Sequence, residues 1–219
     1  MRERHGSRRC KWTANHLRVF GSDPFDEYSS LVIDHLASQH APSPTKFAYI
    51  YCDYSQKDSQ SPTALLANIL QQAVRQIGAF LPPPVKDLYN LHRKYETRPT
   101  IEQITSVLRT ILSHQTPFHV VVDALDECAG REETALDFIT TVLEIGPQVQ
   151  LLCTSRPSTI FDAYFRKSTR IDISAHGEDI RAFIGGHIKQ QSRLSRHVHS
   201  DPKLGEEIAD AIIRESQGM

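Results

Sequence analysis

Apolar residues along the chain fall into short runs and helical stripes that alternate. Leu17-Arg18-Val19-Phe20 is a short apolar run closed by Gly21, and residues 22–28 read S-D-P-F-D-E-Y, a turn-rich loop. Ser30 to Ser38 predicts a helix with Leu31, Val32 and Leu36 on one face. Phe47–Tyr54, F-A-Y-I-Y-C-D-Y, is aromatic and apolar enough for a strand. Ser61-Pro62 pairs a cap residue with a proline at the first helical position. Leu65, Leu66, Ile69, Leu70, Ala73, Val74 and Ile77 then recur at helical spacing up to Gly78. After three prolines, Val85–Tyr95 predicts a further helix. Thr100 and Gln103 form a capping box for a helix carrying Ile101, Ile104, Val107, Leu108, Ile111 and Leu112. Val120–Val122 is a β-branched run suited to a strand buried on both faces. Beyond it come a helix over Glu132–Ile145, a strand over Gln148–Cys153, a short helix capped by Ser158 and a strand over Thr169–Ile173. Two helices follow, Asp179–Gln191 and Pro202–Ser216. Strands alternating with helices predict a three-layer α/β fold with a mostly parallel sheet and a C-terminal helical extension.

Composition leaves this picture intact. The 219 residues are 39% hydrophobic and 23% charged, which suits one large globular domain. The net charge of −1 gives no overall drive toward nucleic acid or anionic membrane. The charge is uneven. Residues 1–20 carry six Lys/Arg against one Glu, so 1–16 read as a basic, mobile tail. Cys10, Cys52, Cys128 and Cys153 lack metal-ligand spacing and fit reduced thiols in a cytoplasmic protein. No apolar run approaches the ~18 residues of a membrane span. His197-Val198-His199 near Asp201 reads as solvated surface rather than a metal site.

The chemistry concentrates where the apolar run 120–122 ends. Asp123, Asp126 and Glu127 place three carboxylates just past it, the edge at which open α/β sheets bind ligands. A buried strand ending in Asp is how P-loop NTPases hold Mg²⁺, and acidic residues beyond it can orient or deprotonate a water. Thr154-Ser155-Arg156 ends the next strand, at the same sheet edge if the crossover is right-handed. An arginine there can reach the outer phosphate of a nucleotide.

Taken together, D-A-L-D-E-C (123–128) and L-L-C-T-S-R-P (151–157) resemble the NACHT-type STAND P-loop NTPases, in their fungal NLR-like and nephrocystin-3-like form. S-S-L-V-I-D-H-L (29–36) is similar to the helix after the phosphate loop there, and 47–54 to the following strand. E-D-I-R-A-F-I (178–184) and S-Q-G-M (216–219) are similar to the helical extension. The resemblance implies a nucleotide-operated signalling switch that oligomerises through this domain and uses Mg with ATP or GTP. It implies Asp123 as the Mg²⁺ ligand, Asp126 and Glu127 as the catalytic, water-activating pair, and Arg156 as the phosphate sensor. It divides the chain into a tail (1–16), the NTPase-like domain (17–175) and the start of a helical extension (176–219). It also implies a central strand leading into the phosphate loop, between the sensor strand (149–153) and the last strand (169–173). The run 17–20 is expected to fill that slot.

The sequence departs from the family at the phosphate loop. No GxxxxGK[ST] stands before Ser29, and no lysine occurs between Lys11 and Lys46. A P-loop aims backbone N–H groups and one Lys at the phosphates. Here Asp23, Asp26 and Glu27 would repel them instead. Nucleotide binding is therefore expected to be weak or lost. A degenerate homologue and a fragment from a misassembled upstream segment both account for this. The family's upstream effector and downstream repeat domains are not represented among these residues. Two readings stand: an impaired nucleotide switch, and a non-catalytic interaction module that keeps only the fold.

Overall fold

The computed structural model describes residues 16–20, 25–38, 45–56, 59–78, 80–113, 117–172 and 177–216. The phosphate-loop stretch 21–24, the tail 1–15 and the terminal 217–219 lie outside the described residues. Among the described residues five strands form one parallel sheet: β1 (His16–Phe20), β2 (Lys46–Tyr51), β3 (Phe118–Asp123), β4 (Val149–Ser155) and β5 (Thr169–Asp172), in the order β2-β3-β4-β1-β5. β1 takes the slot expected of residues 17–20. Leu17 pairs in register with Leu152 of β4 and with Thr169 of β5. Without it, two inner strand edges would lack partners, at a cost of ~1–3 kcal/mol for each buried backbone group left unpaired.

Between the strands run α1 (Phe25–Ser38), α2 (Pro62–Ile77), α3 (Pro83–Tyr95), α4 (Ile101–Leu112), α5 (Glu132–Glu144) and α6 (Thr159–Tyr164). The starts of α2 and α4 follow from their caps. Ser61 Oγ accepts from the Ala64 N–H at 3.3 Å, and Thr100 and Gln103 close the expected capping box. One face of the sheet carries Ala48, Ile50, Val120, Val122, Leu151 and Cys153. It packs in one core with Leu66, Ile69, Leu108 and Phe138 from α2, α4 and α5. The alternating residues Val121 and Asp123 are buried on the other face, where α1 lies against β2 and β3. β3 is thus covered on both sides, the environment its three valines predict.

Several boundaries shift by one or two residues from the sequence reading, β1 starting at His16 within the expected tail among them, and three differences are larger. The helix predicted to begin at Ser30 begins at Phe25, inside the stretch read as a loop. Residues 26 and 27 fall in its first turn. The strand predicted to reach Tyr54 stops at Tyr51, because Tyr54–Gln56 turns into a 3-10 helix held by Asp53. The C-terminal region holds three helices rather than two: α7 (Gly177–Gln190), α8 (Ser192–Ser200) and α9 (Pro202–Ser216). Ile184, Ile188 and Ala209 form a small core of their own there, with Leu194 and Val198 of α8 packed against it. His197 and His199 lie on α8, and no group of three or more His, Cys, Asp or Glu among the described residues is arranged to hold a metal ion.

Candidate functional site

Parallel pairing of β3 with β4 brings their C-terminal ends to one edge of the sheet. Asp123 is the last residue of β3 and is 2% exposed. Its Oδ1 accepts two hydroxyls: Thr154 Oγ1 of β4 donates at 2.5 Å, and Ser29 Oγ of α1 donates as well. Ser29 and Thr154 are equally buried. Thr154 Oγ1 in turn accepts the Ala124 N–H at 2.9 Å. One carboxylate therefore ties together α1, β3 and β4, and its desolvation is offset by charge-assisted hydrogen bonds.

Ala124 turns the chain out of the strand in a left-handed conformation, φ 52° and ψ 51°. That region costs a residue with a Cβ roughly 1–2 kcal/mol. The turn starts the 3-10 helix Leu125–Gly130, which places Asp126 and Glu127 opposite the end of β4. Leu125 and Cys128 anchor it in the core.

Arg156, one residue beyond β4, meets both acids. Its main-chain N–H donates to Asp126 Oδ1 at 3.0 Å, and its Nε lies 3.6 Å from Asp126 Oδ2. Its Nη2 donates to Glu127 Oε1 at 3.0 Å. The other oxygen of Glu127 accepts the Tyr54 N–H at 3.3 Å. The arginine side chain is 62% exposed, so each ion pair contributes only about 0–1 kcal/mol. An anion of higher charge could compete for it.

The four residues singled out in the sequence thus come together, in two subclusters. Asp123 sits in a buried hydroxyl network, while Asp126, Glu127 and Arg156 sit in a surface ion-pair network. Ser29 and Thr154 were not among the sequence candidates. They touch Asp123 from 94 and 31 residues away, which no linear motif reveals. An oxygen-only donor set at Asp123 and Ser29 suits Mg²⁺, which binds through one or two carboxylates plus phosphate oxygens and water. Three buried thiols lie beneath this edge: Cys52, Cys128 and Cys153. A hydrogen bond between Cys52 and Cys128, then burial, pushes the Cys52 thiol up, and the same bond draws Cys128 down.

The sheet order, the strand-end carboxylate and the helix returning against it define a P-loop NTPase-type α/β fold. The chain belongs to the nephrocystin 3 N-terminal family, whose pattern it matches over residues 28–156, more than half its length. Among solved structures it is similar to the Aeropyrum pernix ORC1 protein in complex with DNA. That likeness has a TM-score of 0.50 at 13% identity and covers 80% of this chain and 44% of that one. It is also similar to the Aeropyrum pernix ORC2 protein in ADPNP-ADP complexes, with a TM-score of 0.45 at 10% identity over 80% and 46%. At 13% identity the first likeness concerns the fold alone, and this chain spans less than half the length of either structure. No curated protein sequence matches it. No described helix is long and apolar enough to cross a membrane.

Proposed function

We propose that this chain is a NACHT/STAND-type switch domain of the cytoplasm whose binding of Mg-ATP or Mg-GTP is impaired at the phosphate loop. The observation that carries the reading is Arg156 held on Asp126 and Glu127 at the edge that also carries Asp123. In this reading Asp123, with Ser29 beside it, would hold the Mg²⁺ of a bound nucleotide, which would supply charge neutralisation for the phosphates. Arg156 would exchange its ion pairs for the outer phosphate, leaving Asp126 and Glu127 to orient water. The ion pair is then the nucleotide-free arrangement of the sensor, and homo-oligomerisation through the domain is its output. The missing lysine makes the triphosphate a poor competitor for Arg156.

One observation favours a second reading. Asp123 Oδ1 is fully engaged by Thr154 and Ser29, as a purely structural carboxylate would be. With no lysine between Lys11 and Lys46, the fold would then serve as a non-catalytic interaction module.

Loop repair distinguishes them. Replacing residues 21–28 by a Gly-rich loop ending in Lys-Thr restores nucleotide binding if the remaining site is competent. Arg156→Ala in the repaired chain then weakens triphosphate binding more than diphosphate. Equal loss for both nucleotides would remove the sensor role. No binding by a folded repaired chain would leave the interaction module.

A further inference from the structure

β2 is an edge strand: among the described residues it pairs only with β3 and ends the sheet. Its sequence, K-F-A-Y-I-Y, is six residues of high β-propensity with one charge and no proline. Such a segment on an open edge is a template for strand addition and aggregation. Outward main-chain groups of Phe47 and Tyr49, and the Tyr51 carbonyl, are taken by glutamines instead. Gln76 accepts the Phe47 N–H at 3.0 Å through Oε1 and donates Nε2 to the Phe47 carbonyl at 2.5 Å. Gln72 does the same at Tyr49, at 3.0 and 2.7 Å. Gln60 donates to the Tyr51 carbonyl and accepts the Asp53 N–H, both at 3.0 Å.

Gln72 and Gln76 of α2 each present one acceptor and one donor to a single residue of β2. That is the two-bond ring by which a residue of a neighbouring antiparallel strand engages its opposite number. The spacing matches as well. Four residues of helix advance ~6 Å, close to the ~6.6 Å between alternate strand residues. α2 runs back along β2, so Gln72 and Gln76 meet Tyr49 and Phe47 in turn. Gln72 is itself steadied, its Nε2 donating to Asn68 Oδ1 at 2.6 Å.

We infer that Gln60, Gln72 and Gln76 act as a side-chain substitute for a sixth strand, closing β2 to edge-to-edge addition of a second copy of this chain. The inference is independent of the nucleotide site. The test is the full chain carrying Gln72→Met and Gln76→Met, which keeps volume and helix propensity and removes four main-chain bonds. Amide exchange at Phe47 and Tyr49 is followed residue by residue, and light-scattering mass over a concentration series. Exchange faster by about tenfold at both amides, with mass rising above the parent's as concentration increases, is expected. Unchanged exchange, or parent-like mass at every concentration, overturns the inference. If the double variant loses its helical circular dichroism, Gln76→Met alone reads the claim at Phe47. Faster exchange there with added association supports it, and parent-like behaviour refutes it.

Discussion

Replacing Thr154 by Val tests whether the strand-end carboxylate holds the sheet and α1 together. The two side chains have the same shape, so only the hydroxyl is lost. That hydroxyl donates to buried Asp123 at 2.5 Å and accepts the Ala124 N–H at 2.9 Å. Losing a hydrogen bond to a charged acceptor costs about 1.5–3 kcal/mol, and stranding a buried N–H about 1–3 kcal/mol. The left-handed Ala124 also loses an anchor. A total of about 3–5 kcal/mol is a large part of a stability of order 5–15 kcal/mol. At ~2–4 °C per kcal/mol for a chain of this size, Tm should fall by about 10 °C. Thr154→Ser retains the hydroxyl and loses only a methyl group, so it should cost about 1 kcal/mol. Urea unfolding of the parent and both variants, read by far-UV circular dichroism, measures the difference. Val within about 0.5 kcal/mol of the parent, or no worse than Ser, would refute the network.

Two further outcomes follow from ionisable groups away from the ion pairs. Burial lowers the pKa of His119 on β3 below its ordinary value of 6.5, so the folded chain holds fewer protons there than the unfolded one. Stability is then full above about pH 6.5 and declines as pH falls through the lowered folded pKa. His119→Gln should flatten that slope in a pH series of thermal melts, and an unchanged slope would assign it elsewhere. Cys52, Cys128 and Cys153 should resist a thiol reagent in the native chain and react on unfolding. Peptide mapping of labelled samples reads this, and ready labelling of any of the three in the native chain contradicts it.

Much of the architecture is legible because it rests on local chemistry. The Thr100–Gln103 box, the Ser61 cap and the valines of β3 specify their elements without tertiary help. The place of residues 16–20 in the sheet is legible for a different reason: a central slot left open would strand backbone groups on both neighbours. What escapes the sequence depends on distant partners. Phe25-Asp26-Glu27-Tyr28 carries both turn and helix-start signals, and only the fold decides between them. α8 has just Leu194 and Val198 at helical spacing, too thin a stripe until α7 and α9 supply the rest of the core. Ser29 looks like any small residue of an amphipathic helix, and Gln72 and Gln76 look like a solvated face. Their roles exist only once Asp123 and β2 lie opposite.

The function proposed above is a P-loop NTPase-type domain impaired in nucleotide binding at its phosphate loop. Calorimetric titration of Mg-ATP and Mg-GTP into the unaltered 219-residue chain tests it most directly. No binding tighter than about millimolar is expected, because the sequence before Ser29 carries Asp23, Asp26 and Glu27 and no lysine occurs between Lys11 and Lys46. A micromolar dissociation constant for either nucleotide would contradict it.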